Sequence, residues 1–132
     1  MTLSDKEFLQ QFEAKTLAPE HFDHRGHLRL AWLYLKQLPL KQAEQKICDG
    51  INRYATSLGA SDKFHYTLTV AITRIMANRI DAGNTTNFDR FLELNPKLQT
   101  EMMALVDRHY SPELLHSEQA KREFISPDLQ PL

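Results

Sequence analysis

Apolar residues recur at three- and four-residue intervals along most of this chain, and those intervals predict a succession of helices. Ser4-Asp5-Lys6-Glu7 reads as a capping box, in which the Ser4 hydroxyl accepts the Glu7 amide and the Glu7 carboxylate accepts the Ser4 amide. Leu3 and Phe8 flank it as a hydrophobic staple, and Phe8, Leu9 and Phe12 form the stripe of a first helix that ends before Pro19. Asp23 is placed to cap a second helix. There His24, His27, Leu28, Ala31 and Leu35 share one face, while Leu30, Trp32, Leu33 and Tyr34 cover most of the rest. A helix apolar nearly all round belongs at the centre of a bundle. Pro39 turns the chain into a third helix running to about Leu58, with Leu40, Ala43, Ile47, Ile51, Tyr54 and Leu58 as its buried stripe. Gly59 follows where a left-handed residue is expected. Ser61 or Asp62 then caps a fourth helix, whose inner face is His65, Leu68, Thr69, Ile72, Ile75 and Met76 and which ends near Gly83-Asn84.

The remaining segments are shorter. Asn87 to Leu94 predicts a two-turn helix through Phe88, Phe91 and Leu92. Asn95-Pro96 pairs an N-cap with proline at the first helical position, opening a helix through Leu98, Met102, Leu105 and Val106, and Ser111-Pro112 repeats the signature. Ser117 caps one further turn through Ala120 and Phe124, before an extended tail over 126–132. No segment alternates with period two between turn signals. The expected fold is therefore all-α: a single-domain bundle of about six helices over residues 1–132, with no sheet.

Composition narrows the function classes. The 132 residues carry 16 basic against 17 acidic side chains and a formal charge of -1, which argues against a generic nucleic-acid partner. The longest apolar stretch, Leu28 to Leu40, is broken by Arg29, Lys36, Gln37 and Pro39, so no membrane association is expected. Cys48 is the single cysteine, leaving no internal disulfide and no thiolate zinc site. With no basic-then-apolar segment at the amino end, the expectation is a cytoplasmic protein.

Candidate chemistry concentrates at two helix starts. His24 and His27 open the second helix and His65 opens the fourth, each on an inward face. Free amides at helix starts favour anions, so these imidazoles, with Arg25, Lys63 and Thr67 as ligand-binding residues, predict a pocket for a small anionic molecule. Such a pocket is either a binding site or a catalytic one, in which His24, His27 and His65 are the proton-transfer candidates. A second reading makes the same three histidines ligands of a divalent transition metal, against the helix dipole and without a His-Glu-x-x-His pattern. A third makes them structural, in a non-enzymatic interaction module whose proline-bracketed tail docks on a partner or on its own bundle. There is no Gly-x-Ser-x-Gly elbow and no glycine-rich phosphate loop. Cys48 reads as a small hydrophobe and the Met102-Met103 pair as core filler.

The segments FDHRGHLRLAWLYL, KFHYTLT and the closing SPDLQPL together resemble a family of small all-α bacterial proteins of unassigned function. The resemblance spans most of the chain and implies the helical fold without a chemistry. Members of that family often have Glu where this chain has Tyr66, so the resemblance gives position 66 no role.

Overall fold

Nine α-helices and no β-strand are found among the described residues, in a computed structural model that covers residues 3–83 and 85–132, with the backbone alone at 81–83. The all-α architecture is the one the periodicity predicts. The helices outnumber the expected six because the C-terminal half is cut into short pieces. The segment through Leu98 and Val106 is two helices, α6 (Lys97–Thr100) and α7 (Met102–Asp107), interrupted at Glu101. Contacts within the chain divide it into two compact units, Met1–Phe64 and His65–Leu132.

The first unit holds α1 (Asp5–Glu13), α2 (His24–Gln37) and α3 (Leu40–Ser57), with 3-10 turns at Pro19–His21 and Ser61–Lys63. Both bonds of the capping box form, Glu7 N to Ser4 Oγ at 3.1 Å and Ser4 N to the Glu7 carboxylate at 3.0 Å. Phe8 and Phe12 of α1 are buried. α3 passes close to α1 because Gly50 has no side chain: a Cβ there would lie 2.7 Å from the Phe12 ring. Leu28, Leu30, Ala31, Trp32, Leu33 and Tyr34 of α2 are all buried, as a central helix requires. The first turn of α2 is seated against the preceding 3-10 turn, where a Cβ on Gly26 would come 2.3 Å from the His21 carbonyl oxygen. On α3 the middle of the expected stripe is buried (Ala43, Ile47, Ile51, Tyr54), but its ends, Leu40 and Leu58, are exposed. Gly59 adopts the left-handed conformation, at φ 72°.

The second unit holds α4 (Tyr66–Gly83), α5 (Phe88–Leu94), α6, α7, α8 (Pro112–Leu115) and α9 (Glu118–Arg122). Ser61 and Asp62 do not cap α4; they form the separate turn that ends the first unit. The buried face of α4 is Thr67, Val70, Ala71, Thr73, Ile75 and Met76, while His65, Leu68, Thr69 and Ile72 are only half-buried. The expected face is thus displaced, because a helix apolar on most sides does not announce which side faces the core. The helix reaches Gly83, and position 84 lies outside the described residues. Ser111 and Ser117 cap α8 and α9 as predicted, and Asn87 caps α5. Asn95 does not cap the helix after it: its side chain donates to the Phe91 carbonyl at 2.9 Å, closing the helix before it. The tail docks within its own unit. Ser111 N donates to Asp128 Oδ1 at 2.8 Å, Leu129 N to the His109 carbonyl at 3.0 Å, and the buried Tyr110 hydroxyl to the Ile125 carbonyl. No helix of the described residues is long and apolar enough to cross a membrane.

Candidate functional site

His27 sits in the first turn of α2, held from both sides of the sequence. Its Nδ1 lies 2.8 Å from the Asp23 carbonyl, an acceptor only, so Nδ1 carries the proton and donates. Asp23 is fixed in turn by capping the helix, its Oδ1 accepting Gly26 N at 2.8 Å. The tautomer follows: in the neutral ring the lone pair is on Nε2, which takes no hydrogen bond from any described residue. One face of the imidazole stacks on Phe22, with ring centroids 3.9 Å apart.

That stack is the edge of an aromatic cluster. Phe22 meets Tyr54 edge-on at 4.9 Å, and Phe12 lies behind both at 5.3 and 5.6 Å. The Tyr54 hydroxyl donates to the Leu17 carbonyl at 2.7 Å, which locks its ring in place. Beside the cluster is a cavity of about 250 Å³ lined by Phe22, Tyr54, Phe64, Ile51 and Leu58, with His27 and Lys63 as its charged or titratable members. It lies wholly within the first unit. Burial lowers the His27 pKa from its ordinary value of 6.5, against the pull of the Asp23 carbonyl, and the neighbouring His24 lowers it further. His27 is exposed by surface area, so this desolvation comes from the protein on one side of the ring, where it stacks on Phe22, and the other side is open to solvent.

The other candidates fall elsewhere. His24 is exposed at the first position of α2 and does not line the cavity. Arg25 lines a separate concavity of about 170 Å³ beside Glu20, His21, Asp23 and Arg29, so it does not join Lys63. His65, in the second unit, uses both ring nitrogens on the backbone: Nδ1 accepts Leu68 N at 3.0 Å and Nε2 donates to the Leu115 carbonyl at 2.8 Å. It is the N-cap of α4, where Ser, Thr, Asp or Asn is usual. Thr67 is fully buried, and its hydroxyl donates to the Glu123 carbonyl at 2.7 Å and accepts Ile125 N at 3.1 Å. The hydroxyl expected to meet a ligand instead holds the chain after α9. Among the described residues no group of three or more His, Cys, Asp or Glu side chains is gathered to hold a metal, which leaves the reading of His24, His27 and His65 as metal ligands without support. Cys48 is buried, and desolvation, with Glu44 and Asp49 nearby, pushes its thiol up to about 12, so it behaves as a hydrophobe. Met102 is buried core, whereas Met103 is exposed.

The cavity's aromatic members escaped sequence reasoning. Tyr54 was legible only as core, and Phe22 and Phe64 only as neighbours of histidine. The available signal was local and partial: Phe64 directly follows the candidate cation Lys63, and Phe22 directly precedes the cap Asp23. Searches of family models, curated proteins and solved structures find no match to this chain.

Proposed function

We propose that the first unit binds a small amphipathic molecule: an apolar or aromatic body between Phe22, Tyr54 and Phe64, and an anionic head toward Lys63 and His27. The observation that carries this reading is an otherwise apolar cavity edged by one ammonium and one imidazole with an uncommitted nitrogen. A mostly apolar concavity with few polar groups is the usual form of a small-molecule site. At neutral pH Lys63 supplies the charge, and neutral His27 offers Nε2 as a proton or hydrogen-bond acceptor. Any catalysis would run through that acceptor. The proposed molecule acts in the cytoplasm and needs neither nucleic acid nor membrane, in keeping with the balanced charge and the single cysteine.

A second reading, a non-enzymatic interaction module, is favoured by one observation in the second unit: both nitrogens of His65 are engaged by backbone. On that reading the second unit is scaffold or docking surface, and its histidine is structural.

The test is a titration with benzoate and phenyl phosphate, followed by amide and imidazole NMR shifts. The expected result is saturable shifts at His27, Phe64 and Phe22, weakened in Lys63→Gln and in His27→Phe, which keeps the stack on Phe22 but removes Nε2. A ligand of the folded state also raises the thermal midpoint. Shifts absent from the cavity, or unchanged in both variants, would overturn the reading.

A further inference from the structure

A larger concavity of the first unit, about 620 Å³, opens beside the C-terminal end of α1. Its floor is the buried rings of Phe12 and Tyr34, and α3 contributes Lys46, Asp49, Gly50 and Arg53, spaced to share one helical face. Glu13 and Lys15 close it from α1. Gly50 leaves the middle of the α3 face without a side chain, and that gap is where Phe12 approaches.

The charges are unevenly engaged. The Tyr34 phenol is pushed up to about 12 by burial and then by Glu13, so it stays protonated and bonds the Glu13 carboxylate. The Asp49 carboxylate accepts Gln45 Nε2 at 3.1 Å. Both acids therefore face neutral donors. Lys15, Lys46 and Arg53 form no ion pair with a described residue, and the Lys46 ammonium lies 5.9 Å from the Tyr34 ring centroid. Three cations thus share one concavity with the carboxylates of Glu13 and Asp49, each of which accepts from a neutral donor.

Lys15 adds an independent observation. Among the described residues it is the one non-glycine at positive φ, 63°. It stands just past α1, where Thr16 N bonds the Gln11 carbonyl at 2.8 Å and Lys15 N the Phe12 carbonyl at 3.0 Å, the two bonds of a Schellman motif. Glycine is the residue that this position favours, and the α3 end has it, at Gly59. A lysine kept there against its backbone preference delivers a cation to the groove.

We propose that this groove binds the phosphate ester of a small polyol. A tetrahedral phosphate presents oxygens in several directions, suited to cations from two elements, and an arginine fork matches two of them. The carboxylates of Glu13 and Asp49 exclude a second anion and accept from hydroxyl groups, which a polyol supplies and an inorganic anion does not. The volume is that of a small organic ligand. This site is separate from the His27 cavity and does not depend on that reading.

Calorimetric titration of the full chain with glucose 6-phosphate at low salt tests it. Each of Lys46→Gln and Arg53→Gln should weaken binding about tenfold, the worth of one charged hydrogen bond, while Lys63→Gln leaves it unchanged. Inorganic phosphate should bind more weakly than the ester, and glucose should give no heat. Lys15→Gly should raise the thermal midpoint and yet lower the affinity, a pairing that a merely structural residue would not give. The three side chains are exposed, so these variants retain the fold. No heat with glucose 6-phosphate, affinity unchanged in the α3 variants, or equal affinity for inorganic phosphate would each overturn the proposal.

Discussion

Histidines stand at the starts of α2 and α4, His27 as the fourth residue of its helix and His65 as the N-cap before its helix, and the two rings are bonded differently. His65 is saturated: one nitrogen caps its own helix, and the other reaches the Leu115 carbonyl fifty residues away. His27 bonds with one nitrogen to the Asp23 carbonyl and keeps the other uncommitted beside an apolar cavity. A similar residue at a similar place in a helix is therefore a structural staple in one unit and a candidate binding group in the other. The hydrogen-bond inventory of the ring decides its role, and that inventory follows from whether the ring stands at the cap or one turn inside the helix.

The largest effect should come from removing the staple. His65→Ala leaves the Leu68 amide and the Leu115 carbonyl without their partner, a loss of about 2–3 kcal/mol, counting a cap and a partly buried hydrogen bond. His65→Asn, which can still cap, should recover about 1 kcal/mol of it. His27→Ala should cost less than His65→Ala, since only one bond to an exposed carbonyl and a ring stack are lost. Urea denaturation of the three variants checks the order; equal losses at His27 and His65 would erase the contrast.

Thr67→Val is next, at about 1–2 kcal/mol, because an isosteric apolar side chain leaves the partly buried Glu123 carbonyl and Ile125 amide without their partner. If Thr67 met a ligand instead, the same substitution would leave stability intact and lower an affinity. The two outcomes are separated by measuring the denaturation midpoint in the absence of any ligand.

What was legible follows from range. Caps are local chemistry, so Ser4, Asp23, Ser111 and Ser117 are read correctly from a few neighbouring residues. Asn95 misleads because its side chain has two helices within reach and closes the earlier one. Thr67 was unreadable as a clasp, since its partners lie 56 and 58 residues further on. The displaced face of α4 has the same origin: with apolar residues on most sides, burial is set by the elements that pack on it. For the candidate site, Lys63 is visible as a polar residue beside an aromatic one, Phe64, whereas His27 stands between Gly26 and Leu28, five residues from Phe22. Their meeting depends on the turn Ser61–Lys63 folding back along α3, which no local pattern specifies.

A smaller effect is expected at the docked tail. The Ser111 hydroxyl and amide hold the Asp128 carboxyl below its ordinary value of 3.8. A depressed carboxylate contributes stability that is complete above the unfolded value and is lost as pH falls through the folded one. The protection of the Ser111 and Leu129 amides, measured against their intrinsic exchange rate at each pH, should therefore fall on acidification below about pH 4, and Asp128→Asn should remove that dependence. Exchange unaffected by acid would place the tail's hold elsewhere.

The smallest effect tests the comparison at its other end, the uncommitted nitrogen of His27. Burial depresses its pKa below 6.5, so between the folded and unfolded values the unfolded chain binds more protons. Stability then rises with pH across that window and is complete above the unfolded value; acidification removes it. Ligand binding should run the other way. A benzoate anion beside His27 favours the charged ring, so its affinity should fall as pH rises through a transition lying below the ordinary imidazole value. Opposite slopes for stability and for anion affinity, both traced to a single imidazole titration followed by NMR, are the signature of a ring that can accept a proton while facing a ligand. His27→Phe should flatten both. Should the affinity slope persist in His27→Phe, the titrating group is another residue and the contrast between the two helix starts loses its functional half.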